Sequence, residues 1–385
     1  MKTIYMDYNA TTPADKEVLA LINRITTECY GNPSSSHILG RMSRACLDDA
    51  RRKVAVSLEC DDDEICFTTG GSESDNLAIK GVADGRSCGH IVSTCIEHSA
   101  VKRTCDYLAT RNFSVTCLPV DRMGCVDPKH VEEAIRDDTF LITMMWANNE
   151  TGQIQPVEDV ARIAREHGIT FHTDAVQAFG KIPVSVRSVP VDLLSISGHK
   201  IYGPKGVGAL YIRRGVELVT QVHGGGQEQG LRSGTENVAG CAALGEACRL
   251  CTNRLDEWAQ KLGGLRDELE RGILERIPET TVNGDPVRRV PNTSSISFHG
   301  VDSSQLVVRL DEVGFAVSGG SACKSTTEGP STVLTMGMGL SADEAAGTIR
   351  FSLGHGSDAS HVAQMHEVLP GIVEQLRGVR SEKLT

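Results

Sequence analysis

The feature that most constrains the fold is an alternation of short apolar runs with helical segments in the middle of the chain. The runs are mostly β-branched or apolar on both faces, as expected for strands buried between two layers of helices. They cover residues 64–68, 90–95, 140–146, 169–173, 191–196 and 208–212. The stretch 156–168 between two of them has apolar residues at helical spacing and ends in Gly168, a predicted C-cap. This alternation predicts an α/β fold with a mainly parallel sheet covered by helices on both sides.

After about residue 250 the pattern changes. One long amphipathic helix is predicted over 254–276, followed by strand-like segments at 294–298 and 315–317 and a helical pattern over 341–348. The polar segment 278–293 is rich in proline and is predicted to be a loop. A chain of 385 residues is expected to form two or three domains at roughly 100–200 residues per domain. We therefore predict a second, smaller α+β domain.

Charge and hydropathy exclude several classes of protein. Fifty acidic residues against 39 basic ones give a formal net charge of −11, which argues against a nucleic acid or an anionic membrane as the partner. No segment approaches the roughly 18 apolar residues of a membrane span, and the amino terminus lacks the apolar region of an export signal. We expect a soluble, cytoplasmic protein.

The thirteen cysteines agree with this location, because without an export signal a disulfide framework is not expected. The one Cys-x-x-Cys motif, Cys248 to Cys251, has no second pair or histidine nearby. A structural zinc site requires four converging ligands, so we predict no metal. Most of the cysteines are interpreted as small core residues.

Two residues at predicted strand ends indicate a cofactor. Lys200 follows the strand 191–196, and Asp174 follows the strand 169–173. The spacing of 26 residues (200 − 174) fits one strand–helix–strand crossover, and ligands of such sheets bind at the carboxyl ends of the strands. A lysine with a lowered pKa can form an imine, and a carboxylate can pair with a protonated pyridine nitrogen. Together they predict a pyridoxal phosphate site, although each alone also fits an ordinary surface or capping residue.

A glycine-rich turn upstream completes this pattern. The residues Thr69-Gly70-Gly71-Ser72 open a predicted helix directly after the strand 64–68. Backbone N–H groups at such a helix start, together with the helix dipole, can bind a phosphate. A plain helix cap is the alternative interpretation of this turn.

These motifs closely resemble those of the cysteine desulfurases of the NifS and IscS type, within the class V aminotransferases. The resemblance runs from residues 4–13 to residues 349–354, in the family's order and with similar spacing. The strongest stretches are 31–34, 70–80, 97–98, 148–150, 197–208, 223–226, 232–235 and 318–323. The resemblance implies a fold-type I pyridoxal-phosphate enzyme. Its large domain would span 12–250, and residues 1–11 and 251–385 would form the small domain that carries the loop with the catalytic cysteine.

The resemblance also implies roles for individual residues. Lys200 would bind pyridoxal 5'-phosphate covalently, Asp174 would pair with its pyridine nitrogen, and His98 would stack on the ring and transfer protons. The other cofactor contacts would be Gln177 at the phenolic oxygen, Asn149 on the same side, and Gly71, Ser72, Ser197 and His199 at the phosphate. Thr235 would reach the phosphate of the other subunit's cofactor, which implies a homodimer. Asn32 and Arg350 would bind the substrate carboxylate.

The implied reaction converts L-cysteine into L-alanine, with the sulfur held as a persulfide on Cys323. The residues around Cys323 are small and polar, which is typical of an exposed loop. The sulfur acceptor would be an iron–sulfur scaffold or a thiolation relay. Members devoted to general iron–sulfur assembly resemble this chain but carry a longer C-terminal extension, so the acceptor is left open. A selenocysteine lyase or another pyridoxal-phosphate enzyme of the same fold is the alternative.

Overall fold

The computed structural model describes residues 3–319 and 331–384, which form a large and a small β-sheet with helices packed against both. The strands are β1 (Ile4–Tyr5), β2 (Ile65–Thr68), β3 (Gly89–Thr94), β4 (Phe113–Leu118), β5 (Thr139–Thr143), β6 (Thr170–Asp174), β7 (Leu193–Ser197), β8 (Gly208–Ile212), β9 (Thr280–Asn283), β10 (Thr293–Phe298), β11 (Phe315–Ala316) and β12 (Thr348–Ser352). The helices are α1 (Lys16–Glu28), α2 (Ile38–Leu58), α3 (Gly71–Ala83), α4 (Ser99–Ala109), α5 (Pro128–Glu133), α6 (Val157–His167), α7 (Val238–Asn253), α8 (Leu255–Arg276), α9 (Ser303–Glu312), α10 (Ala342–Ala346) and α11 (Ala359–Leu384).

The large sheet has seven strands in the order β2-β8-β7-β6-β5-β3-β4. Only β8 runs antiparallel to its neighbours β2 and β7, so the predicted mainly parallel sheet is confirmed. Strand β4 was not predicted, because it lies at the edge of the sheet and only its first and last residues, Phe113 and Leu118, are buried.

Successive residues of the central strands point to opposite faces of this sheet, as the two-residue period of a strand requires. Leu194 packs in a core with α1, α2, α6 and α7, whereas Leu193 packs in a second core with α3 and α4. The predicted helix over 156–168 is present as α6, and Gly168 ends it in the left-handed conformation (φ 65°). Both layers together place the carboxyl ends of the strands at one open edge.

The C-terminal part has its own core. Strands β12, β10 and β9 form an antiparallel sheet that packs with α8, α9 and α11. At the other end of the chain, β1 pairs in parallel with β11, and Met6 is buried in the same core. The N-terminal residues thus join the C-terminal part, while the division of the chain near residue 250 remains a prediction.

Two details differ from the sequence prediction. The segment 278–293, predicted as a loop, contains β9, because Asn283 and its neighbours pair with β10. The helical pattern over 341–348 is shorter than predicted: α10 ends at Ala346, and the following residues form β12. In β12 the charged Arg350 lies between the buried Ile349 and Phe351, so the buried strand carries a charge that hid it from the sequence analysis.

Within the described part of the chain, every helix is too short or too polar to cross a lipid bilayer.

Candidate active site

A cavity of about 200 Å³ opens at the carboxyl ends of β2, β6 and β7. It lies where an open α/β sheet binds its ligands. Ten residues predicted from the sequence line it: Gly71, Ser72, His98, Asn149, Asp174, Gln177, Ser197, His199, Lys200 and Arg350. The fold therefore brings together residues from six separate segments of the chain.

Lys200 reaches this cavity from a short 3-10 turn, Gly198–Lys200, that follows β7. Its Nζ donates to the carbonyl oxygens of Asn9 at 2.6 Å and Ala10 at 2.9 Å. Two backbone carbonyl acceptors hold the amine at the wall of the cavity.

Asp174 is the last residue of β6 and its side chain is buried. Its Oδ1 accepts from the backbone N–H of Val176 at 2.9 Å. Burial raises the pKa of Asp174, while the nearby His98 and Lys200 lower it. A buried carboxyl group in this position would be stabilised most by a cationic N–H donor in the cavity.

His98 lies at the N-cap of α4, where its Nδ1 accepts from the backbone N–H of Ala100 at 3.2 Å. An acceptor role for Nδ1 leaves the proton of the neutral ring on Nε2. Side-chain atoms of His98, Asp75 and Asp174 lie within 4.8 Å of one another. The imidazole is therefore positioned next to the carboxyl groups at this end of the cavity.

Asp75 was not predicted from the sequence. It is fully buried in the second turn of α3, and its Oδ1 has no hydrogen-bond partner among the described residues. Burial and the neighbouring Asp174 raise the pKa of Asp75 well above its usual range. Asp75 follows Gly71 by four positions and so lies on the same helix face, which is the signal that could have indicated it.

Behind Asp75, His172 is also fully buried. Its ring nitrogens bond to Thr143 Oγ1 at 2.8 Å and Ser195 Oγ at 3.0 Å, and its Nε2 lies 3.6 Å from Asp75 Oδ1. Burial lowers the pKa of His172 to about 3, so the ring is neutral. The interior of the sheet therefore supplies polar contacts to the site without adding a cation.

Arg350 is the largest side chain that is fully buried, with 2% of its surface exposed. Its NH2 group donates to Asp7 Oδ1 at 2.6 Å, and NH1 donates to the Asn149 carbonyl at 2.9 Å. Its Nε is buried and has no partner in the described residues. A guanidinium held in this way at the cavity is suited to a carboxylate ligand.

Three predicted residues are not part of this cavity as described. Asn32 is exposed on the segment between α1 and α2, and its Oδ1 accepts from Ser34 N. Thr235 is exposed and lines a separate cavity of about 200 Å³ beside Thr69. Cys323 lies outside the described residues. The roles of these three residues remain predictions.

The residues present fit pyridoxal phosphate. Helix α3 begins close to the cavity wall: a Cβ atom on Gly71 would lie 2.9 Å from Val176 Cγ2, so only glycine lets the helix start approach this closely. Its N-terminal N–H groups could hold a phosphate. The buried Asp174 carboxyl requires a cationic partner, which a protonated pyridine nitrogen would supply. Lys200 offers the amine for the aldehyde group.

Comparison with known proteins agrees with this fit. The class-V aminotransferase family matches residues 4–365, so the chain belongs to this family, whose members are pyridoxal-phosphate enzymes. Over 380 residues it is 46% identical to a protein named cysteine desulfurase IscS from Methanosarcina thermophila, covering 98% of this chain and 94% of the relative.

Solved structures agree on the fold. A NifS-like protein superposes with a TM-score of 0.91 at 38% sequence identity and covers 97% of this chain and 100% of its own. A structure described as SspA in complex with cysteine has a TM-score of 0.82 at 39% identity, covering 91% and 99% of the two chains. The fold-type I architecture is therefore confirmed.

We predict that Lys200→Ala abolishes covalent attachment of pyridoxal phosphate but leaves the protein folded, because Lys200 is half-buried at the wall of the cavity and does not belong to the apolar core. Borohydride reduction followed by peptide mass analysis should find the cofactor on Lys200 in the wild type and on no peptide of the variant. Lys205→Ala, at an exposed lysine five residues on, is the matched control and should keep the label. A reducible cofactor that persists in Lys200→Ala would show that another amine is used.

Proposed function

We propose that this protein is a pyridoxal-phosphate-dependent cysteine desulfurase that converts L-cysteine into L-alanine. The observation that carries the proposal is that Lys200, Asp174 and Arg350 face one cavity in a chain of this family. Curated relatives that carry this activity in their names are about 45% identical over nearly the whole chain. L-cysteine as the substrate is also supported by a structural neighbour described as a complex with cysteine.

Each charged residue of the cavity has a proposed role in this reaction. When bound, pyridoxal phosphate supplies the electron sink for loss of the substrate's α-proton. Asp174 keeps a negative charge against the ring nitrogen, which favours the protonated form of that nitrogen. Arg350, held by Asp7 and Asn149, binds the substrate carboxylate through its remaining N–H donors. The His98 ring can accept or return a proton beside the cofactor.

Sulfur transfer is assigned to Cys323. Its thiolate attacks the substrate sulfur, an S–S bond forms, and the C–S bond breaks with its electron pair left on carbon, which a proton then converts to alanine. Ser318, five residues earlier in the sequence, pairs through its backbone with Arg350 on β12. The start of this segment therefore adjoins the residue assigned to the substrate carboxylate, which supports the assignment.

The proposal extends to the assembly and its partners. A homodimer is supported by the exposure of Thr235, which lies away from the cavity of its own chain and is assigned to the second subunit's cofactor. The persulfide would pass to an acceptor protein of iron–sulfur cluster assembly, as the names of the relatives suggest, or to a thiolation relay. A reducing cytoplasm suits the twelve described cysteines, all of which are free thiols.

We predict that Asp174→Asn retains the cofactor but loses activity by about a hundredfold or more, because an amide cannot balance the charge of the protonated ring nitrogen. Alanine formation from L-cysteine measures the loss, and absorbance measures the cofactor content. Asp106→Asn, at an exposed acid on α4, is the control and should be as active as the wild type. Near-normal turnover of Asp174→Asn would remove Asp174 from the proposed mechanism.

The decisive experiment concerns Cys323→Ala. We expect this variant to bind the cofactor and L-cysteine normally but to form no alanine and no protein persulfide, because no thiolate remains to take the sulfur. Incubation of the wild type with L-cysteine should add one sulfur atom per chain to the peptide that contains Cys323, as measured by mass spectrometry.

Cys88→Ala, at an exposed cysteine, is the matched control. It should still form alanine and the protein persulfide. If Cys323→Ala still forms alanine at the full rate, the protein is a lyase that releases the chalcogen without a cysteine nucleophile. If the added sulfur maps to Cys248 or Cys251, the assignment of the nucleophile is wrong.

A further inference from the structure

A second lysine, Lys181, lies directly behind the cofactor cavity and has no role in the reaction described above. Its Nζ donates to Asn9 Oδ1 at 2.9 Å and to Gln177 Oε1. Lys181 does not line the cofactor cavity; together with Lys200 it lines a separate cavity of about 20 Å³, room for about one water molecule. Any effect of Lys181 on the reaction must therefore act through its neighbours.

The turn that carries Lys181 is tightly packed. Gly180 has a φ of 76°, and a Cβ atom there would lie 2.8 Å from Ile201 Cγ2 and 3.0 Å from Cys251 Sγ. The backbone N–H of Lys181 donates to the Ala178 carbonyl at 3.0 Å. The position of the amine is therefore set by the core and by backbone hydrogen bonds.

Lys181 and Asn9 together determine which way the Gln177 amide points. Gln177 Oε1 accepts from Lys181, and Gln177 Nε2 donates to the Asn9 carbonyl at 3.0 Å. A flipped amide would place its NH₂ group against the amine and its oxygen against a carbonyl oxygen, which loses both bonds. One N–H of Nε2 bonds to Asn9, and its second hydrogen is available to the cavity that Gln177 lines.

Both polar atoms of the Asn9 side chain are themselves hydrogen-bonded. Its Oδ1 also accepts from Asn292 at 3.1 Å, and its Nδ2 donates to the Asn149 carbonyl at 3.2 Å and to Thr293 Oγ1 at 2.8 Å. Because all its side-chain donors and acceptors are engaged, Asn9 has no alternative orientation that would release Lys181. The chain from Lys181 through Gln177 to the cavity is therefore rigid.

We propose that Lys181 is a positioning residue for the cofactor: it orients the Gln177 amide so that an N–H faces the phenolic oxygen of pyridoxal phosphate. The proposal rests on the proposed function only in that it requires bound pyridoxal phosphate. Lys181 does not line the cofactor cavity, so its effect reaches the cofactor through the hydrogen bond to Gln177.

The groups that face Lys181 are mostly cationic or neutral. Lys200, Tyr8 and Tyr202 line the same small cavity, and its lining as described includes no carboxylate. Burial lowers the pKa of Lys181 well below its usual range, and Lys200 and Arg350 lower it further; Arg350 is paired with Asp7. An amine keeps two N–H donors even without its extra proton, so both hydrogen bonds persist in either form.

This arrangement has a measurable consequence. A donor at the phenolic oxygen stabilises that oxygen most when the adjacent imine nitrogen has lost its proton. This hydrogen bond lowers the pH at which the bond between Lys200 and the cofactor takes up its proton. Removal of the Lys181 amine should therefore raise that pH.

The test is a pH titration of the visible absorption of the bound cofactor in Lys181→Met, with no substrate present. We expect the midpoint to rise by about one pH unit, the equivalent of one lost hydrogen bond. Lys129→Met, at an exposed lysine of α5, removes the same side chain elsewhere and should leave the midpoint unchanged. If Lys181→Met does not fold, Lys181→Leu, which likewise carries no N–H donor, should give a rise in the same direction.

A second control tests whether a shift of the titration midpoint comes from loss of the Lys181 amine or from weaker packing of its turn. Cys251→Ala removes the sulfur that packs against Gly180 but keeps the Lys181 amine, so we expect a lower melting temperature and an unchanged midpoint. An equal shift in Cys251→Ala, or no rise in folded Lys181→Met, would overturn the proposal. A wild-type protein without any reducible visible band would instead refute the proposed function.

Discussion

The contact between Arg350 and Asp7 joins the parts of the chain on which the site depends. Arg350 belongs to the small sheet, Asp7 to the N-terminal segment, and Asn149, which accepts from the same guanidinium, to the loop after β5. Removal of one partner from a buried ion pair leaves the other charge uncompensated, at a cost of about 3–5 kcal/mol. The cavity therefore has its shape only when the N-terminal segment and both sheets are assembled together.

Charge is unevenly distributed across the cavity. The carboxyl groups of Asp174, Asp75 and Glu97 lie on one side, where burial raises the pKa of Glu97 to about 8 and also raises those of Asp75 and Asp174. The basic side chains Lys200, Lys181 and Arg350 lie on the other side. Buried acids next to one another cannot all ionise, so a ligand cation at Asp174 changes the protonation of the group as a whole. A cofactor with a basic ring nitrogen at one edge and an anionic oxygen at the other matches this polarity.

The N-terminal residues connect these two sides. The backbone carbonyl of Asn9 accepts hydrogen bonds from Lys200 and Gln177. Its side chain is hydrogen-bonded to Lys181, Asn149, Asn292 and Thr293. A buried amide with every polar atom engaged is rigid, and a network of this kind holds reacting groups in place without contacting the substrate. The orientation of Lys200 thus depends on a residue nearly two hundred positions away in the sequence.

The sequence by itself determined the α/β fold and the pairing of Lys200 with Asp174 across one crossover, because strand ends and glycine turns are local patterns and parallel strands bring their carboxyl ends to one edge. Most of the other cavity residues were predicted from the resemblance to a known family. Strand β4 escaped prediction at the edge of the sheet, β9 in a polar segment, and β12 because it contains the charged Arg350. The roles of Asn9, Asp75 and Lys181 were decided only by the tertiary structure. Burial and hydrogen-bond direction depend on neighbours that are distant in the chain, and no local pattern of amino acids records them.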